Sequence, residues 1–153
     1  MQILNLTQLK STQDQNIQDL NTIDREILLE NLNFDEIPSK DLIDFRAKTV
    51  ANLAVRHFVF QIQNFISVEN NVDEAMMLLL SVNHSIKQVL MHFECKVMIG
   101  GAPFFTASLE HALKEKGIQP VYAFSKRVST EIQQKDGSVE KVNVFKHLGF
   151  VEV

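Results

Sequence analysis

Residues 95–125 constrain what this chain can fold into more than any other stretch, because strand, glycine turn, helix and strand follow one another there with their own start and stop signals. Lys96, Val97, Met98 and Ile99 make a short, mostly apolar run that ends at Gly100-Gly101, and Pro103 stands where a first helical residue is favoured. Phe105, Leu109, Ala112 and Leu113 then recur at helical spacing, Glu110 precedes Lys114 by four, and Gly117 supplies the stop. Residues 119–124 read as the next strand. Such a βαβ unit predicts parallel strands joined by a right-handed crossover. It places Gly100, Gly101 and the cluster Ser125, Lys126, Arg127 at strand carboxyl ends, where open α/β sheets hold ligands.

A chain of 153 residues is long enough to bury a real core and is expected to form one domain, 1–153. Its hydrophobic fraction of 45% and charged fraction of 22% are those of an ordinary globular protein. A net charge of −4 argues against general DNA binding. The lone Cys95 rules out an internal disulfide framework, and with no secretory pattern at the start the expected location is cytoplasmic. No apolar run approaches the ~20 residues of a membrane helix, so no membrane association is expected.

Before the βαβ unit, residues 2–7 alternate and read as a first strand ending in Thr7-Gln8, a hydroxyl and an amide that either bind a ligand or tie down the loop that follows. Thr12-Gln-Asp-Gln15 fits a capping box and predicts a helix carrying Ile17, Leu20, Ile23 and Ile27 inward. Pro38-Ser39 marks another start, with a helical reading from 42 to 66 through Phe45, Val50, Ala54, Phe58, Ile62 and Phe65. Asn71-Val-Asp-Glu74 is a second capping box, followed by a stripe through Val72, Met76, Leu79, Val82, Ile86, Leu90 and Phe93. The two helices form a predicted antiparallel hairpin, an insertion over about 40–94. The apolar excess of residues 58–66 and 76–80 fits either core or a homodimer interface. After the βαβ unit, 128–132 and 139–145 alternate around Asp136-Gly137 and predict a C-terminal β-hairpin. The expected fold is therefore α/β: a Rossmann-like layered domain with a small, largely parallel sheet, that hairpin and the helical insertion.

The chemistry resides in few residues. Gly100-Gly101-Ala102-Pro103, after a strand and before a helix, lets backbone N–H groups approach an anion at a helix N-terminus, or forms a tight turn with no ligand. It has neither the G-x-G-x-x-G nor the G-K-[ST] spacing. Ser125, Lys126 and Arg127 offer a hydroxyl, a point charge and a guanidinium fork to a phosphate, or a solvated strand exit. The candidate catalytic residues are Thr7, Ser125 and Arg127, and the candidate ligand-binding residues are Gln8, Gly100, Gly101, Ala102 and Lys126. His57, His84, His92, His111 and His147 show no ligand spacing, so neither a metal nor a cofactor is expected; His147 is weighed as a residue lining the site. Cys95, ahead of a buried strand, reads as a packed thiol.

Residues 3–8, 98–104, 121–127 and 143–150 resemble a family of small uncharacterised bacterial and prophage proteins. More distantly, the first-strand motif with its polar loop and the late strand ending in Ser-x-Arg resemble the small Rossmann-like accessory proteins of type III CRISPR loci, some of them ring nucleases. Thr7-Gln8 stand where those proteins often carry Ser-His. That resemblance implies a homodimer that binds, and in an enzyme would cleave without metal, a phosphate-bearing nucleotide signal such as a cyclic oligonucleotide. A different expectation is a non-catalytic interaction protein of a mobile element, acting through its apolar helical hairpin.

Overall fold

Three-residue strands cannot hold a sheet together by length, so apolar residues at their centres must do it. The computed structural model describes residues 1–11, 14–69 and 85–153. Their order is β1 (Ile3–Asn5), β2 (Ile17–Asp19), α1 (Thr22–Leu32), α2 (Lys40–Glu69), α3 (Ile86–His92), β3 (Lys96–Met98), α4 (Pro103–Glu115), β4 (Gln119–Gln133) and β5 (Val139–Glu152). One five-stranded sheet runs β2-β1-β3-β4-β5, parallel except for the last pair. Leu4 lies beside Val97, and both are fully buried.

The βαβ expectation holds for β3, α4 and the start of β4. Pro103 opens α4, Phe105, Leu109, Ala112 and Leu113 are its buried stripe, and Gly117 follows its end at φ +82°. The crossovers from β2 to β3 and from β3 to β4 step the same way across the sheet, so right-handed connections put α1, α2 and α4 on one face. Accordingly α2 packs along α4 and α1 packs on α2. The return from β1 to β2 runs the other way through a loop whose described residues hold no helix.

The helix expected from Thr12 onward is corrected. Thr12 and Gln13 lie outside the described residues, Ile17–Asp19 is a strand beside β1, and the helix starts later, where the Asn21 side chain accepts the Asp24 N–H. The reason is nonlocal: the Asp19 carboxylate is needed beside Asn5 on the neighbouring strand, as shown below. Ile23, read as inward, is 72% exposed.

Helix α2 has 30 residues, about 45 Å at ~1.5 Å per residue. The Ser39 hydroxyl accepts the Leu42 N–H at its start. Val50, Ala54, Phe58 and Ile62 are buried, each such side chain as large as Phe58 contributing roughly 1.5–3 kcal/mol, whereas Phe60 on the other side is 61% exposed. The second capping box, the stripe from Val72 to Val82, the surface at 76–80 and His84 lie outside the described residues, so the helical hairpin is described only at α3. There Ser85 and Gln88 form a reciprocal capping box and Leu90 is buried.

The C-terminal part differs from expectation in length. β4 does not stop at Phe124, and 119–133 form one strand paired antiparallel with 139–152 around Asp136-Gly137. Residues 146–149, beyond the alternating stretch 139–145, also belong to β5. One bulge interrupts the ladder: Phe124 opposes Gly149 while Ser125 opposes His147, leaving Leu148 as the extra residue. The bulge shifts the alternation of β5 by one, so His147 and Phe150 share a face, with ring centroids 4.9 Å apart. On β4, β3 pairs only with Gln119, Pro120 and Val121, so the remainder of β4 extends with residues 139–151 of β5 as a two-stranded ribbon.

Candidate functional site

The strand order reverses direction at β1 and β3, since β1 continues to β2 on one side and the chain returns to β3 on the other. Loops leaving the carboxyl ends of two such strands diverge and open a crevice. A cleft of about 880 Å³ lies there. Its walls are the loop after β1 (Thr7, Gln8, Lys10, Ser11), the turn Gly100–Gly101–Ala102, and Ser125, Phe145 and His147 of the ribbon; Phe34, Phe105 and Tyr122 supply aromatic surface. The volume is that of a site for a small organic ligand.

The loop after β1 is held by Asn5, which is 0% exposed. Its Nδ2 donates to the Leu9 carbonyl at 2.7 Å and to Asp19 Oδ1 at 2.8 Å. Its Oδ1 accepts the Thr7 N–H at 2.9 Å and the Thr7 hydroxyl at 2.7 Å. Every hydrogen-bonding position of this amide is used, which is what a buried amide requires. Asp19 Oδ1 also accepts the Ser11 N–H at 3.2 Å. Behind the loop, Arg25, 8% exposed, donates from Nη2 to the Gln8 carbonyl at 3.0 Å, while its Nη1 is buried without a protein partner. The Gln8 amide reaches the Leu32 carbonyl at 3.4 Å.

Burial alone would raise the pKa of Asp19, but hydrogen bonds from Asn5 and Ser11 and the charge of Arg25 outweigh it and hold the carboxyl below its usual value. A carboxyl with the lower pKa in the folded state stabilises fully above its unfolded value, about 4, and loses that contribution as pH falls through the folded value. Wild type should therefore lose more of its urea-unfolding free energy between pH 6 and pH 3 than Asp19→Asn does. Equal losses in the two proteins would show that Asp19 gains nothing from its partners.

The glycine turn is asymmetric. Gly101 has φ +115° with open space around it, and a Cβ on Gly100 would make only ordinary contact, 3.8 Å from Thr7 Cγ2. The helix that follows starts from Ala102 with no side-chain cap; Pro103 has no N–H and the Phe105 and Thr106 N–H groups donate to the Ala102 carbonyl, which leaves the Phe104 N–H to solvent or ligand. Gly101→Ala should cost about 1–2 kcal/mol through backbone strain. Gly100→Ala should stay within about 0.5 kcal/mol. Equal melting temperatures for both variants would contradict the positive φ.

The candidate residues are not all brought together. Thr7, Gln8, Gly100, Gly101, Ala102 and Ser125 line the cleft. Arg127 stands at its edge, its guanidinium 5.3 Å from the centre of the Phe145 ring. Lys126 opposes Lys146 on the other face of the ribbon, because neighbouring residues of a strand point opposite ways. His147 lines the cleft, directly across the ladder from Ser125 and 3.9 Å from Asp14 of the opposite wall. Tyr122 donates to Glu110 at 2.5 Å; burial first, then that carboxylate, raise its pKa, so it acts as a donor.

Asn5, Lys10 and Asp14, and the aromatics Phe34 and Phe145, join the cleft without having been among the candidates the sequence offered. Asn5-Leu6-Thr7 did carry a signal, the Asx turn in which an Asn side chain caps the N–H two residues on. Cys95 is buried, and burial pushes its thiol up to about 12, which leaves it packed rather than nucleophilic at neutral pH. Among the described residues no group of three His, Cys, Asp or Glu is placed to hold a metal ion, and no helix is long and apolar enough to cross a membrane.

Against known families, the chain matches the one described as Uncharacterized protein MJ1673 family over residues 1–151. No curated protein and no solved structure matches.

Proposed function

Because the chain belongs to the Uncharacterized protein MJ1673 family, a membership that brings no activity with it, we propose a function from the cleft itself: it binds a phosphate-bearing nucleotide. The observation that carries this reading is one crevice joining a glycine turn at an uncapped helix N-terminus to aromatic surface. Phosphate would sit at the amides of Gly100, Gly101 and Ala102, where the helix dipole is positive. The base would lie against Phe34 or Phe145, and Lys10 and Arg127 would approach further phosphates from the two walls. The distant resemblance noted above makes cyclic oligoadenylate, a messenger of antiviral defence, the first ligand to test.

Cleavage is the finer proposal. Thr7 is committed to Asn5, so it positions rather than attacks. Ser125 and His147, paired across the ladder, are the polar pair available to align a ribose hydroxyl and to move its proton. Metal-free cleavage needs an in-line 2′-hydroxyl and stabilised charge more than a strong base.

The test is a thermal-shift screen of linear and cyclic nucleotides, in which a ligand at ~100 times its Kd adds about 2.7 kcal/mol of stability. Arg127→Gln should leave apo stability within about 0.5 kcal/mol yet lose roughly 1.5–3 kcal/mol of affinity, with Arg127→Lys recovering part. Lys126→Gln, on the far face, should bind as wild type does. Ser125→Ala and His147→Ala should retain binding and stop product formation. No shift with any nucleotide would remove this function.

The exposed Phe45 and Phe60 of α2 favour a second reading, a protein-binding face on that helix. Loss of partner capture by Phe60→Lys, with nucleotide binding intact, would establish it.

A further inference from the structure

The ribbon beyond Val121 presents two faces of different chemistry. Ser125, Arg127, Phe145 and His147 share the face that meets the cleft. The opposite face carries, from base to tip, the cross-strand pairs Lys126–Lys146, Val128–Val144, Thr130–Val142 and Ile132–Glu140. It is apolar along its middle, cationic at the base and anionic at the tip. Val144 and Ile132 are exposed on it. A two-stranded ribbon with nothing packed on it is marginal in water.

The charges on this face are unusual in their placement. Lys126 and Lys146 stand directly opposite each other, an arrangement that destabilises an antiparallel pair, and neither has an acidic partner among the described residues. Glu140 is about 20 Å further along, six residues at ~3.3 Å each, and accepts only the Gln134 amide. No cation of the same face lies beside it.

We infer that this face is a self-association surface whose occupant is a second copy of this chain. A twofold axis through the centre of the face lays two ribbons against each other base to tip. Val128 and Val144 of each copy then meet Thr130 and Val142 of the other, and the Lys126–Lys146 pair of each copy meets the Ile132–Glu140 pair of the other. The pattern is self-complementary only in this antiparallel sense; a parallel arrangement would set lysines against lysines. Pairing leaves the cleft face free and stiffens the strands that carry Arg127 and Phe145. The inference does not depend on nucleotide binding.

The test is sedimentation equilibrium of the full chain, comparing wild type, Lys126→Glu with Lys146→Glu, Glu140→Lys, and all three changes together. The residues are exposed, and far-UV circular dichroism checks that each variant is folded. Wild type should dimerise. The two partial variants should each weaken the dimer about tenfold or more, because twofold symmetry counts every like-charge contact twice, and the triple change should restore it. A monomeric wild type would overturn the inference. So would a dimer that ignores these charges, and a dimer lost on Phe60→Lys but kept in all three charge variants would assign self-association to α2 instead.

Discussion

Asn5→Asp should destabilise the protein by about 3–5 kcal/mol near neutral pH, the effect of an uncompensated charge in a buried site. The substitution changes one atom in kind and nothing in shape. It replaces the donor that now lies 2.7 Å from the Leu9 carbonyl and 2.8 Å from Asp19 Oδ1 by an oxygen facing two oxygens. Loop and strand can no longer share the site unless a proton is taken up, so part of the loss should be recovered toward pH 4, opposite in sign to the wild-type response through Asp19. Asn5→Ala, which abandons both donors and both acceptors but adds no charge, should cost about 2–3 kcal/mol with no such recovery. Urea unfolding at pH 7 and pH 4.5 distinguishes the three proteins. If Asn5→Asp unfolds at the wild-type urea concentration, the four hydrogen bonds do not organise the loop. Because Thr7 and Gln8 depend on that loop, nucleotide response should fall along with stability.

Gly117→Ala should cost about 2–4 kcal/mol, well beyond the ~1 kcal/mol of Gly137→Ala at the ribbon tip. Both glycines have left-handed backbone, φ +82° and +88°, so strain alone does not distinguish them. At Gly117 a Cβ would lie 2.5 Å from the Lys87 carbonyl oxygen and 2.9 Å from Lys87 Cγ, whereas at Gly137 it meets nothing within 4 Å. The difference between the two variants isolates the close approach of α3 to the end of α4. Equal destabilisation would mean that α3 yields without resistance at this point.

The parts legible in the sequence were those with local causes. Pro103 and Gly117 bracket α4 because one fixes φ for a first turn and the other leaves the last one, and neither depends on distant residues. Asp136-Gly137 gave the hairpin for the same reason. β2 was hidden because three residues show no alternation, and because Ile17, Leu20, Ile23 and Ile27 happen to be spaced like one face of a helix. Its real cause, a carboxylate required beside Asn5, lies on another strand. The Ser125–Lys126–Arg127 cluster was legible as chemistry but not as geometry. With β5 paired alongside, the strand runs straight through it, and alternation sends Lys126 away from its neighbours. The cleft aromatics Phe34 and Phe145 come from segments far apart in the chain and become neighbours of the glycine turn only through the topology.

The extra residue at Leu148 makes pairing register, not composition, decide which side of the ribbon is which. Were the ladder to close over Leu148 as an ordinary paired residue, regular alternation would resume and every position from Val139 to His147 would turn over relative to the sheet. His147 and Phe145 would exchange places with Lys146 and Val144. A one-residue slip of the pairing here would therefore move an imidazole out of the cleft and a lysine into it with no substitution anywhere, whereas loss of Leu148 itself would remove the bulge and leave both faces as they are. Among homologous chains, the residues to equate across this point are those that share a side, even where a letter-by-letter alignment sets them one position apart.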